Sequence, residues 1–142
     1  MEPTCPDPSP TGSTTTSLFV RRETLDLVRL DPADGWPAWA FAAPFVAMAR
    51  TEDELSIVCP EGLAPPGVRA ERGWRAIQVV GPLDFGLTGL LAGLLGPLAR
   101  RGIAVFTVST FDTDLILVRA GRLVEAVGAP REAGYPVRDP GS

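Results

Sequence analysis

Gly81-Pro82-Leu83-Asp84-Phe85-Gly86-Leu87-Thr88-Gly89 leads into a leucine-rich run that stops at Gly102. A second apolar run, Ile103 to Val108, follows at once. Then come Ser109-Thr110-Phe111-Asp112-Thr113-Asp114 and the apolar run Leu115 to Val118. The pattern reads as strand, tight loop, helix, strand, acidic turn, strand. Leu87, Leu90, Leu91, Leu94, Leu95 and Leu98 recur at three- and four-residue steps, the period of one helical face. The spacing predicts a helix over Leu87 to Arg101, with Asp84 as N-cap and Gly102 just past its end. Arg100 and Arg101 fall in the last turn, where cations suit the macrodipole. Gly89, Gly93 and Gly96 each cost such a helix about 0.5–1 kcal/mol against alanine, which predicts close packing against another backbone. Pro97 is a sharper conflict and predicts a bend or a lost last turn.

Outward from this stretch the chain breaks into short elements. Met1 to Ser17 is rich in Pro, Ser and Thr and reads as a disordered tail. Leu25 to Leu30 alternates apolar and charged residues and predicts a half-exposed strand. Trp36 to Phe41 predicts one or two helical turns, with Trp36, Trp39 and Phe41 in the core. Phe45 to Ala49 and Leu55 to Cys59 flank a hairpin turn at Arg50-Thr51-Glu52-Asp53-Glu54. Val68 to Arg72 forms one more short strand, and Trp74 to Val80 is the strand that feeds the glycine loop. Arg119 to Val127 predicts an amphipathic helix with Leu123, Val124 and Val127 inward, stopped or kinked by Pro130. Tyr135-Pro136-Val137 adds an edge strand.

Composition bounds the chemistry. The chain has 142 residues and a net charge of −4, with scattered basic residues. A nucleic-acid partner needs a concentrated basic face. No apolar run reaches the about 20 residues of a membrane span, and no leader pattern opens the chain. Cys5 and Cys59 make no disulfide framework. Cys59 reads as a buried reduced thiol, and a cytoplasmic location follows. Histidine is absent and all 13 basic residues are arginine. That removes histidine acid–base catalysis, Ser-His and Cys-His pairs, the Walker lysine and Schiff-base lysines. Carboxylates, arginines, hydroxyls and backbone amides remain, an inventory that favours binding over catalysis, with no cofactor.

The order strand, helix, strand, hairpin turn, strand occurs twice, over about Leu25 to Cys59 and Arg75 to Val118. Thr51-Glu52-Asp53-Glu54-Leu55 lines up with Thr110-Phe111-Asp112-Thr113-Asp114-Leu115 if one gap is allowed. Two such units predict an α+β fold of split βαβ type, with helices on one face. The unit boundaries expected are 18–72 and 73–138, between the tail at 1–17 and a frayed end at 139–142.

The stretch Gly81 to Gly89, with Gly102-Ile103 and Ser109 to Asp114, resembles the ACT domains of the CASTOR-like group, small proteins with paired ACT units. Arg50 to Glu61 resembles the hairpin of that group's first unit. The resemblance implies a ferredoxin-like βαββαβ fold, two ACT-type units in tandem with the first reduced, and no catalytic residues. It further implies a regulatory role through binding a small effector, often an amino acid, where two units meet. Carried over by position, the site is Asp84, Phe85, Gly86, Leu87, Thr88 and Gly89 on one wall. Thr110, Phe111, Asp112, Thr113 and Asp114 form the other.

A helix N-terminus suits the carboxylate of an α-amino acid. Gly86 and Gly89 let a ligand approach the backbone. Asp84, Asp112 or Asp114 can accept from its ammonium, and Phe85 and Phe111 can cover its apolar part. Plainer roles stand beside these: an N-cap for Asp84, turn residues for Asp112 and Asp114, core for the two phenylalanines. Two other functions stay open. One is a structural or dimerisation module without ligand. The other is an enzyme holding Mg²⁺ on Asp84, Asp112 and Asp114. The partners expected are a small effector, most simply an amino acid, and a second copy in a homodimer.

Overall fold

The computed structural model describes residues 16–83 and 88–139. One sheet carries the molecule. Its strands are β1 (Leu18–Leu30), β2 (Ala47–Arg50), β3 (Leu55–Pro60), β4 (Arg69–Val79), β5 (Val105–Ser109), β6 (Asp114–Arg119) and β7 (Val137–Arg138), and its order is β2-β3-β1-β4-β6-β5. β7 adds to β1 in parallel; every other pair is antiparallel. Two helices, α1 (Leu90–Arg100) and α2 (Leu123–Glu132), lie on one face.

The fold is ferredoxin-like α+β, with two units sharing the sheet. β1, β2 and β3 repeat as β4, β5 and β6. The first unit is the reduced one: where α1 stands in the second, it has a 3₁₀ turn, Ala38–Ala42. The hairpin turns match without the gap expected from sequence. Thr51 N–H donates to the Glu54 carbonyl at 2.9 Å, and Thr110 N–H to the Thr113 carbonyl at 2.8 Å. Each threonine hydroxyl also accepts a backbone N–H within its own turn, from Asp53 and from Thr113, both at 3.1 Å. So Arg50 opposite Leu55 corresponds to Ser109 opposite Asp114. On the same basis Leu25 corresponds to Trp74, and these two face each other across the β1–β4 pair.

β1 and β4 are longer than the alternation predicts, and both pass through both units. β1 begins at Leu18, not Leu25. The expected strands Val68 to Arg72 and Trp74 to Val80 are one strand, with a register shift against β1 between Leu25 and Leu27. Gly73 sits in that irregularity at φ 82°, a conformation suited to glycine in a bulge. The bulge re-aims the strand. Ala70 packs in the first unit's helix-side core, and Ile77 and Val79 in the second's. These two cores correspond residue by residue: Val28 with Ile77, Ile57 with Ile116, Cys59 with Val118.

The opposite face buries Leu25, Val58, Trp74, Ala76, Leu115 and Leu117. No described helix covers it; the sheet curls around it instead. Asp26 is fully buried on β1, opposite Cys59, and pairs with Arg72 at 2.8 Å.

Several expectations are corrected. α1 starts at Leu90, not Leu87, because Gly89 holds the N-cap at φ 84°, a left-handed turn that an α-helix cannot continue through. The N-cap is therefore Gly89 rather than Asp84. Gly93 and Gly96 meet no other backbone; a Cβ on either would touch only Tyr135 Oη at 3.8 Å or Arg100 Nη1 at 3.4 Å. Pro97 stays inside α1, and the carbonyl it leaves without a helical donor belongs to exposed Gly93. α2 runs through Pro130, which is buried, to Glu132. Val124 points outward, 90% exposed, while Leu123 and Val127 are buried. Trp36 and Phe41 are exposed, and Ala40 takes the core position between them. The expected tail falls on residues outside those described, apart from Thr16 and Ser17, and residues 140–142 also lie outside.

Candidate functional site

The glycine loop and the acidic turn meet. Leu83 N–H donates to the Asp112 carbonyl at 2.7 Å. Gly81 packs so close that a Cβ there would lie 2.7 Å from the same oxygen. The Thr113 hydroxyl donates to the Val79 carbonyl at 2.5 Å, tying the turn to the end of β4. The Gly81–Pro82 peptide is cis. The exit of β4 is thus pinned against the β5–β6 turn by three contacts, two of them to backbone groups of the turn.

Within the turn the residues divide by role. Thr113 is buried, and both its hydroxyl and its N–H are committed to the fold. The Thr110 hydroxyl is taken up inside the turn. Asp114 is half-buried and accepts from Ser109 Oγ at 2.6 Å. Asp112 and Phe111 are exposed, Phe111 at 78%. On the other wall Thr88 and Gly89 are exposed. Asp84, Phe85, Gly86 and Leu87 lie outside the described residues. Gly89 has no side chain to cap α1, so the first-turn amides of the helix receive no hydrogen bond from an N-cap side chain.

Among the described residues no three acidic, cysteine or histidine side chains gather as a metal site. Asp84, the third carboxylate of the Mg²⁺ reading, is outside them. No described helix is long and apolar enough to cross a membrane. The sequence reading missed Gly81 and Leu83 as the residues that join the two walls. The Gly-Pro pair was the available signal, since a glycine at a close approach has no periodicity to mark it.

The ACT domain family model matches residues 69–129, which hold the loop, the turn, α1 and most of α2. A crystallised protein from Agobacterium tumefaciens is 35% identical, with a TM-score of 0.83 over 92% of this chain and 97% of that one. The chain belongs to the ACT-domain family. A second family model, of an N-terminal domain, matches residues 24–66, the first unit of the ACT pair. The "Cytosolic arginine sensor for mTORC1 subunit 1" of Rattus norvegicus is 30% identical over 121 residues, and this places the ACT pair in the CASTOR-like group. The chain spans 36% of that relative's length. The ligand-free regulatory subunit of aspartate kinase from Thermus thermophilus shares the ACT fold at 11% identity, with a TM-score of 0.60 over 86% of this chain and 99% of that one.

Proposed function

We propose that this chain is a non-catalytic regulatory protein that binds a small effector, an amino acid, at the second unit. The observation that carries the reading is the joining of loop and turn through Leu83 N–H and the Asp112 carbonyl. In this reading the N-terminus of α1 and the carboxylates of the turn would face the same ligand. The α-carboxylate would take the first-turn amides of α1, and Asp84, Asp112 or Asp114 would take the ammonium. Phe85 and Phe111 would flank the side chain, while Gly86, Leu87, Thr88 and Gly89 would supply the loop backbone. Thr110 and Thr113 hold the turn's shape. The likeness to an arginine sensor supports an effector of this class. A homodimer in the cytoplasm is part of the same proposal.

Thermal unfolding against each of the twenty amino acids at millimolar concentration tests it. A ligand at about 100 times its dissociation constant adds about 2.7 kcal/mol. One amino acid, or a chemically related few, should raise Tm. Asp84→Ala and Asp112→Ala should weaken that response; full affinity in both variants would remove the site. A second reading, a dimerisation module without ligand, is favoured by the exposed apolar side chains Trp36, Phe41 and Val124. It predicts one species at dimer mass that no amino acid stabilises.

A further inference from the structure

Ser56, Arg29 and Arg69 form one row across three neighbouring strands. Arg29 on β1 stands directly opposite Ser56 on β3 and directly opposite Arg69 on β4. Opposed residues of antiparallel strands project on the same face. Here it is the face that no described helix covers, because Leu27 and Val58, two residues along their strands, pack in its cluster. All three residues of the row line one recess of ≈ 180 Å³, together with Leu27 and Glu71. Leu18 and Val79 pair at the other end of β1 and β4, so the recess lies away from the loop and turn.

The row is unfavourable as it stands, because two like charges directly opposite each other repel. The fold does not require them: the matching row of the second unit, Leu115, Gln78 and Phe19, is uncharged. Glu71 does not relieve them, since Arg119 takes its carboxylate at 2.7 Å. Arg29 gives one Nη2–H to the Asp53 carbonyl at 2.8 Å, which fixes the guanidinium without reducing its charge. Arg69 has no hydrogen-bond or ion-pair partner among the described residues. Arg29, Arg69 and Arg119 against Glu71 leave two positive charges unmatched. Guanidinium forks fit the oxygens of carboxylate and phosphate, and Ser56 adds a hydroxyl donor. A carboxylate brings one charge and two oxygens. A phosphate brings nearly two charges and three or more oxygens on one centre, which is what the row lacks. The volume is below the about 300 Å³ at which sites for drug-sized ligands begin, so the ligand is small.

We propose that this recess binds a small phosphate, as the free ion or a monoester, between the guanidinium groups of Arg29 and Arg69, with the Ser56 hydroxyl donating to it. The site is independent of the amino-acid reading of the second unit.

The test titrates inorganic phosphate and glycerol 3-phosphate separately into the full chain labelled with ¹⁵N, at constant ionic strength set with chloride. The expected result is a saturable shift of the Arg29 and Arg69 Nε–H resonances. Arg69→Gln should weaken binding at least about tenfold. Arg100→Gln, at an exposed arginine ending α1, should leave it unchanged. Thermal unfolding gives a second readout. In chloride Arg69→Gln should melt no lower than the unaltered chain, because it removes the repulsion; in phosphate the unaltered chain should melt higher. Tighter binding of the ester identifies a phosphomonoester as the ligand, and equal or weaker binding identifies the free ion. No saturable shift with either probe, undiminished binding in Arg69→Gln, an equal loss in Arg100→Gln, or a lower melting point of Arg69→Gln in chloride would each overturn the proposal.

Discussion

A Cβ placed on Gly81 would lie 2.7 Å from the Asp112 carbonyl oxygen and 3.2 Å from Thr113 Cβ. Both neighbours belong to the pinned turn, so neither can step aside cheaply. Gly81→Ala should therefore lose about 1–3 kcal/mol, as overpacked sites do. Gly93 lies inside α1, where a Cβ would meet only Tyr135 Oη at 3.8 Å. There Gly93→Ala should gain about 0.5–1 kcal/mol by restricting the unfolded chain. Urea unfolding of the two variants separates these outcomes, and equal effects would refute the assigned contacts. Cys59 gives a second prediction at this scale. Burial, helped by the negative charge of Asp26 and opposed by Arg72, lifts its thiol from an ordinary 9.0 to about 11. Between those values the unfolded chain has lost its thiol proton and the folded chain has kept it. Stability therefore falls as pH rises from about 9 towards 11, and is unaffected by this group below that window. Cys59→Ala should remove this part of the alkaline slope in denaturation curves recorded against pH.

α2 shows at the level of the element what the sequence reveals and what it conceals. Its existence was legible from spacing, and the leucine period of α1 likewise placed Leu94 and Leu98 in the core. Its orientation was not, because Val124 is as apolar as Val127 and only packing distinguishes them. Val127→Ala should cost about 1–3 kcal/mol through lost burial. Val124→Lys should stay within about 0.5 kcal/mol, as exposed substitutions do. Helix ends were hidden for a similar reason. Pro130 breaks helices by local rule, yet here it is buried and the helix continues past it. Among the site residues, the acidic turn was legible from Thr-x-Asp and the following apolar strand. The division of labour within it was not. Thr113 looks like any polar turn residue, but its hydroxyl reaches the buried end of β4. Thr113→Val keeps the shape and leaves the Val79 carbonyl unpaired, which should cost about 1–3 kcal/mol in equilibrium unfolding.

At the scale of the molecule, the sharing of β1 and β4 decides how the chain unfolds. A tandem of separate domains would have its own sheet in each half and a loose joint between them. Here Leu25 opposes Trp74 at the centre of the β1–β4 pair, and each of the two strands contributes to both cores on the helix side. The first unit has a 3₁₀ turn, and residues such as Leu63, Ala64 and Val68, against its core in place of an α-helix. Removing β4 would strip β1 of its longest neighbour. Neither half therefore has a way to melt while leaving the other intact. The expectation is one cooperative transition, with tryptophan fluorescence and far-ultraviolet circular dichroism giving the same midpoint. Leu55→Ala, deep in the first unit's core, should shift that single midpoint rather than create a second. It should also lower the hydrogen-exchange protection of β6 amides, in the other unit, by the same free energy as it lowers those of β3. Protection that falls in β3 alone would show two independently stable units, and would reassign β1 and β4 from shared framework to a hinge.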